Sequence, residues 1–471
     1  MQATGEFVDA DGMTWYRIEN HDLLDPFLVS LVTPDDQWAF ISSGGALTAG
    51  RRSAEYSLFP YETDDRLHRS GGRTGPLTLI RLEGRSDVWQ PFDLDTPIGH
   101  THRSLAKTAF GDRLRFAEHH PDLGMTFEYT WATAGRFGLV RSCRLSLDHD
   151  RDPVEVTILD GLVDVLPAGV ELASQQASST LVDAYRRTEL DDAGDPDGEA
   201  AGDLALFTLE ALVSDKADPA EALTANVVWG YDLRESTTGS TMLLSERQVR
   251  RFRSGLDVSA ERLRTGVKGA YLKVATAQLA AGEDLRWTLV ADVDLDHQAV
   301  VELAGFLHHR SDQTTAISGA VEAELEQAHR SIGELVGDAD GRQVTADKRS
   351  TVHHFANVLF NCMRGGVFPD DHRVVVDQLA RFVSARDHRR HERLMELIAG
   401  LDPVVDIDTV RRAVASDDDI GRLVDEYLPL TFSRRHGDPS RPWNSFRIPE
   451  PMPDGRMAIG YQGNWRDIFQ N

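Results

Sequence analysis

The segment Met125-Thr-Phe-Glu-Tyr-Thr-Trp131 alternates large apolar side chains with polar ones. A period of two puts Met125, Phe127, Tyr129 and Trp131 on one face of a strand and Thr126, Glu128 and Thr130 on the other. Met13–Ile18, Trp38–Ile41, Leu77–Leu82, Val154–Leu159 and Trp287–Asp292 are likewise rich in β-branched and aromatic residues, and Gly, Asp and Pro clusters separate them. Strand follows strand with no long helix between, which predicts an antiparallel sandwich over residues 1–305. That span is large for a simple sandwich, so a double-layered, extended one is expected.

The pattern then changes. Val321, Leu325, Ala328, Ile332 and Leu335 recur at spacings of four and three, with Glu322, Glu324, Glu326 and Arg330 outside the stripe. This predicts an amphipathic spacer helix within a linker, 306–341, broken at Gly337–Gly341. Beyond it, Val352, Phe355, Leu359 and Cys362 share a face, and Gly365-Gly366 ends that helix. Val376, Leu379 and Val383 begin another; Leu394, Leu397 and Ile398 close it or a successor before Gly400. Val410 and Val414 mark a short helix, and Ile420, Leu423, Val424 and Tyr427 the last. Residues 342–471 therefore read as a helical domain, and the whole chain as a β + α multidomain protein.

Composition sets limits. The 471 residues are 41% hydrophobic and 27% charged, ordinary for a globular chain of two or three domains. Lys and Arg number 50 against 76 Asp and Glu, a net −26, which argues against a nucleic-acid backbone or an anionic membrane as partner. Cys143 and Cys362 are too few for a disulfide framework or a cysteine-based zinc site. The N-terminus lacks a basic-then-apolar signal and no apolar run is long enough for a membrane span, so a cytoplasmic protein is expected.

Residues 429–471 carry prolines 429, 439, 442, 449, 451 and 453, six of the 19 in the chain, which excludes regular helix or central strand. They also carry Arg441, Trp443, Asn444, Phe446, Tyr461, Trp465, Arg466, Asp467, Phe469 and Gln470. So many aromatics argue for an ordered loop rather than disorder. Trp rings suit the C–H faces of a pyranose, while Arg, Asp, Asn and Gln supply donors and acceptors for its hydroxyls. A proline-rich surface loop pinned by its own tryptophans is the other reading of the same residues.

The segment Gly463-Asn-Trp-Arg-Asp-Ile-Phe-Gln-Asn471 resembles the Gly-x-(aromatic)-Arg-Asp-x-x-Gln-Asp segment of the cellobiose and chitobiose phosphorylases, glycoside hydrolase family 94. It departs at Asn471, where that family has Asp. Phe40-Ile-Ser-Ser-Gly-Gly-Ala-Leu-Thr-Ala-Gly-Arg51 and Ile158-Leu-Asp-Gly-Leu162 are similar to segments of large relatives of those enzymes. The resemblance implies an N-terminal β supersandwich, a helical linker and the first helices of an incomplete (α/α)6 toroid. It implies sugar binding by Arg466 and Asp467, with Gln470 their neighbour. Trp443 and Trp465 would stack on sugar faces, with Arg441 and Asn444 beside them. The implied partner is an oligosaccharide or sugar phosphate, with inorganic phosphate as co-substrate and no other cofactor. Too few helices remain to close such a ring, so the expectation is a fragment, or a shortened relative whose exposed helix faces pair in a homodimer. The family's catalytic acid lies beyond the Arg-Asp segment, so the chain alone is expected to be inactive. Asp467 is a poor substitute, since the neighbouring Arg466 would lower a pKa that a general acid needs raised. Phosphorolysis, hydrolysis by an inverting glycosidase, and a non-catalytic carbohydrate-binding or scaffolding role stay open.

Other chemistry fits poorly. The close pairs His100/His102, His119/His120, His308/His309, His353/His354 and His388/His391 have no carboxylate at ligand spacing. Arg434, Arg435, His436 and Arg441 form a basic cluster that reads as sugar-binding or structural rather than as a phosphate site. Asp191–Asp203 misses the register of a calcium loop and reads as a hairpin loop. Asp9–Gly12, Asp338–Gly341, Gly44-Gly45 and Gly71-Gly72 read as turns.

Overall fold

A computed structural model describes residues 2–70, 74–191, 204–210, 224–231, 240–308, 314–339, 341–365, 373–427 and 447–448. It has large antiparallel sheets N-terminally and helices C-terminally. The chain divides into two compact units, one covering Met1–Gly333 and the other beginning at Glu334.

The first unit is built on an eleven-stranded sheet. Its spatial order is Thr4–Ala10, Met13–Glu19, His102–Thr108, Leu114–His120, Met125–Ala134, Gly138–Leu147, Asp284–Leu295, Ala225–Tyr231, Ala205–Leu209, Arg186–Leu190 and Leu263–Thr265. A five-stranded sheet faces it: Thr241–Leu243, Gly269–Leu279, Val154–Val165, Gly75–Leu82 and Val88–Trp89. Met125, Phe127, Tyr129 and Trp131 are buried in the main core with Ile158, Leu162, Ile80 and Trp287. Thr126, Glu128 and Thr130 point the other way, as the alternation requires.

Inside this apolar layer lies an ion pair. Arg141 Nη1 donates to both carboxylate oxygens of Asp160, at 2.9 and 3.0 Å. Thr78 Oγ1 donates to the same carboxylate at 2.6 Å and Trp287 Nε1 at 2.7 Å. Arg141 and Trp287 belong to one sheet, Asp160 and Thr78 to the other, so the cluster bonds the two layers directly. The Arg141 side chain is 0% exposed and that of Asp160 3%. Removing one partner strands the other charge without water.

The segments Phe40–Arg51 and Ile158–Leu162 are packing motifs here. A Cβ on Gly161 would lie 1.8 Å from the Tyr271 carbonyl oxygen, so only glycine lets the neighbouring strand approach. Gly50 lies in the small sheet Leu28–Leu31, Gln37–Ser42 and Leu47–Arg51, where a Cβ would meet the Tyr56 carbonyl at 2.0 Å. Arg51 then ties this sheet to the large one through Asp292, at 2.6 and 3.0 Å, and reaches Asp36 at 2.6 Å. Ser42–Ala46 is a turn with Gly45 at φ 92°, and Asp11-Gly12, at φ 54° and 72°, is the two-residue hairpin turn between the first two strands.

Short helices α1 (Asp64–Arg69), α2 (Leu172–Ala177), α3 (Ser179–Tyr185) and α4 (Val249–Arg253) interrupt the strands. α5 (His297–His308), α6 (Thr314–Asp338), α7 (Lys348–Gly365), α8 (Val376–Arg386), α9 (His388–Leu397), α10 (Ile407–Val414) and α11 (Asp418–Glu426) follow. α6 is the expected amphipathic helix, and the unit boundary falls inside it. In the second unit α8–α11 bury Leu379, Val383, Leu394, Val410, Val414, Ile420 and Leu423 around a common core. Asp387, Asp406 and Asp417 cap α9, α10 and α11 through side-chain acceptors, which is why these short helices start where they do. An unanticipated ribbon, Arg373–Val375 paired with Val404–Asp406, contributes the fully buried Val374 to that core.

Arg141→Met and Asp160→Leu should each lower the unfolding free energy by about 3–5 kcal/mol. The double variant should lose much less than their sum, read by urea denaturation with tryptophan fluorescence. Strictly additive losses would show that the two side chains are uncoupled.

Candidate functional site: the open face of the large sheet

Arg441, Trp443, Asn444, Trp465, Arg466, Asp467 and Gln470 lie outside the described residues, as do Arg434, Arg435, His436, Gly71-Gly72 and most of Asp191–Asp203. In that stretch Arg447 and Ile448 are described, and Ile448 is buried.

The described residues offer a polar surface, the side of the eleven-stranded sheet turned away from the core. One end of it is apolar and covered. Ala132, Val140, Val290 and Trp229 pack there with Ala304 of α5 and Ile317, Val321 and Leu325 of α6. α6 is also held by His329, whose Nδ1 donates to Asp112 at 2.8 Å while its ring stacks on Phe110 at 4.5 Å.

Strand register sets the rest in three cross-strand rows. The first runs His102, His119, Thr126, Ser146 and Asp284. The second runs Glu19, Ser104, Ala117, Glu128, Arg144 and Arg286. The third runs Glu6, Arg17, Ala106, Arg115, Thr130, Ser142, Thr288 and Tyr231.

Charges in these rows are paired both across and along strands. Arg144 reaches Asp284 at 2.5 Å and Glu128 at 3.4 Å, and Arg286 reaches Asp284 at 2.8 Å. Arg17 bridges Glu6 at 2.6 Å and Glu19 at 2.9 Å. Arg115 donates to Asp11 at 2.6 Å and Thr130 at 3.2 Å and lies 4.4 Å over the Trp15 ring. Partly exposed pairs of this kind are worth only about 0–1 kcal/mol each, so they open toward a ligand at little cost. With Ala106, Ala117 and Ser104 as a low floor, the face can meet a polyhydroxylated molecule with alternating donors and acceptors. The bland alternative is the solvated side of an antiparallel sheet.

Among the described residues the histidines form no metal centre. His102 and His119 stack at 6.2 Å, and His119 Nδ1 is bonded to Thr126 Oγ1 at 3.0 Å. Among the described residues no group of three His, Cys, Asp or Glu could hold a metal ion. His21 is buried, its Nε2 donating to the Ser43 carbonyl at 3.2 Å, and its Nδ1 has no partner among the described residues. Burial lowers its pKa to about 4, with the Asp22 charge opposing. In the second unit a cleft of about 440 Å³ is lined by Arg386, Arg390 and Arg422. Asp419 pairs with Arg390 and Glu426 with Arg422, which satisfies two of these cations internally. Among the described residues no helix is long and apolar enough to cross a membrane.

No protein-family model and no curated protein matches the chain. Among solved structures it is similar to the GalM/aldose epimerase homologue from C. elegans, at 11% identity and TM-score 0.30, over 57% of this chain and 99% of that one. It is similar to a bacterial glucoamylase complexed with acarbose, at 7% identity and TM-score 0.37, over 86% of this chain and 59% of that one. A human-microbiome protein assigned as a kojibiose phosphorylase gives 8% identity and TM-score 0.27, over 83% of this chain and 36% of that one. These are remote structural resemblances to carbohydrate-active proteins, and with every TM-score below 0.5 they have no weight for what this chain binds.

His21→Gln keeps a donor for the Ser43 carbonyl but takes up no proton. A His whose folded pKa is depressed contributes stability above its unfolded pKa near 6.5 and loses it as pH falls toward about 4. The variant should therefore show a flatter fall in melting temperature than the parent between those pH values. Parallel curves would place the acid sensitivity elsewhere.

Proposed function

We propose that this chain is the saccharide-binding part of a carbohydrate-active enzyme of the glycoside phosphorylase or inverting glycosidase type. Arg466 and Asp467 hold the glycone, Trp443 and Trp465 stack on sugar faces, and Arg441, Asn444 and Gln470 complete the hydroxyl contacts. The observation that supports this reading is the order of parts. A two-sheet antiparallel body, a long amphipathic helix and a helical unit precede the Arg466-Asp467 segment, as its family resemblance leads one to expect. The ligand is a glucoside or related oligosaccharide, and inorganic phosphate is the co-substrate if the reaction is a phosphorolysis.

The open sheet face favours a second reading, a carbohydrate-binding or scaffolding protein without catalysis. The two readings make different demands on the same chain. Under the first, Arg466→Ala and Asp467→Ala weaken saccharide binding by about tenfold or more, since a hydrogen bond to a charged group is worth about 1.5–3 kcal/mol. Under the second, Glu128→Ala and Arg144→Ala do so and the tail variants bind as the parent does. Isothermal titration of the full chain with cellobiose and cellohexaose separates them. Unchanged affinity in the Arg466 and Asp467 variants would contradict the first.

A further inference from the structure

We propose that the exposed ring of Tyr16, on the hairpin Thr4–Ala10/Met13–Glu19, is a stacking platform for one sugar residue of an extended saccharide. This deepens the carbohydrate reading above and rests on it. The hairpin forms the edge of the eleven-stranded sheet, and its register pairs Phe7 with Tyr16, Asp9 with Thr14 and Gly5 with Ile18. Side chains of these residues share one side of the ribbon, opposite Glu6 and Arg17.

The ring is fixed from below. A Cβ on Gly5 would lie 2.1 Å from the Tyr16 hydroxyl oxygen and 2.6 Å from Cζ, so the phenol ring lies across the space that glycine leaves empty. Phe7 meets it edge-on, with centroids 5.0 Å apart and planes at 63°. Tyr16 is nevertheless 42% exposed, among the large apolar side chains left in solvent. A ring with one side on backbone and an edge held by a second ring leaves its other side for a ligand at little further entropic cost.

Hydroxyl partners stand in the adjoining row. Thr14 Oγ1 donates to Asp9 Oδ1 at 2.8 Å on the exposed surface. Asp9 and Thr14 thus set a carboxylate and a hydroxyl, groups that exchange hydrogen bonds with sugar hydroxyls, on the same side of the ribbon as the ring. Lys107, which pairs with Tyr16 from the next strand, spends its ammonium on the Ser30 carbonyl at 2.7 Å. The patch is thus an apolar plate beside a carboxylate and a hydroxyl, the chemistry of a pyranose face and rim. The competing account is that Tyr16 merely covers Gly5 and blunts an edge strand.

Isothermal titration of the full chain with cellohexaose, maltohexaose and glucose distinguishes these accounts. Tyr16→Leu keeps an apolar cover on Gly5 without a flat ring, and should weaken hexasaccharide binding by about tenfold while leaving glucose binding unchanged. Tyr16→Trp keeps a ring and should bind at least as tightly as the parent. Equal binding in the parent and Tyr16→Leu would overturn the platform and leave the Arg466-Asp467 reading standing. Equal loss in the Leu and Trp variants would trace the effect to hairpin damage and also overturn it. No binding of any of the three sugars by the parent would overturn both proposals.

Discussion

Arg141 and Asp160 are two charges sealed between the sheets, as are Arg103 and Glu118, and that constraint governs the larger unit. A buried guanidinium is tolerated only where its carboxylate and the surrounding donors are held in place. Thr78 and Trp287 supply those donors from opposite layers. The pair therefore specifies which strands oppose one another as well as adding to cohesion. A slip of one residue in either central strand would turn Arg141 or Asp160 outward and flip every neighbour with it. Because the inner positions are fixed in this way, the outer rows from His102 to Asp284 and from Glu19 to Arg286 are fixed too.

Much of this architecture was legible in the residues. The alternation at Met125–Trp131 identified the core face of its strand, and the apolar spacing of Val376, Leu379 and Val383 identified α8. Local periodicity suffices where an element packs one face against a core. The ribbon at Arg373–Val375 escaped, because three residues are too short to show a period. The Arg141–Asp160 cluster escaped for a different reason. Its four members come from four strands distant in the chain, and only the folded pairing brings them together. Gly161 was visible as part of a segment, but its reason, the approach of the Tyr271 carbonyl, is tertiary.

The candidate site divides along the same line. Arg466, Asp467 and the nearby tryptophans stand together in sequence, so their chemistry was readable, and they lie outside the described residues. The sheet rows are the converse. Glu128 and Arg144 were unremarkable in sequence and become neighbours through strand pairing, with Asp284 completing the group from far along the chain. Tyr16 also gains its meaning from Gly5 beneath it. The close histidine pairs lack ligand spacing in the sequence, and among the described residues the fold uses His21 and His329 for packing and anchoring.

The central claim is the proposal that the chain binds a saccharide, at the Arg466-Asp467 segment and at the Tyr16 hairpin. Hydrogen–deuterium exchange of the full chain, with and without millimolar cellohexaose, tests it most directly. The account predicts slower exchange in peptides containing Arg466 and Asp467 and in the hairpin around Tyr16, with the strands bearing Arg141 and Asp160 unchanged. Identical exchange in every peptide at saturating sugar would contradict it.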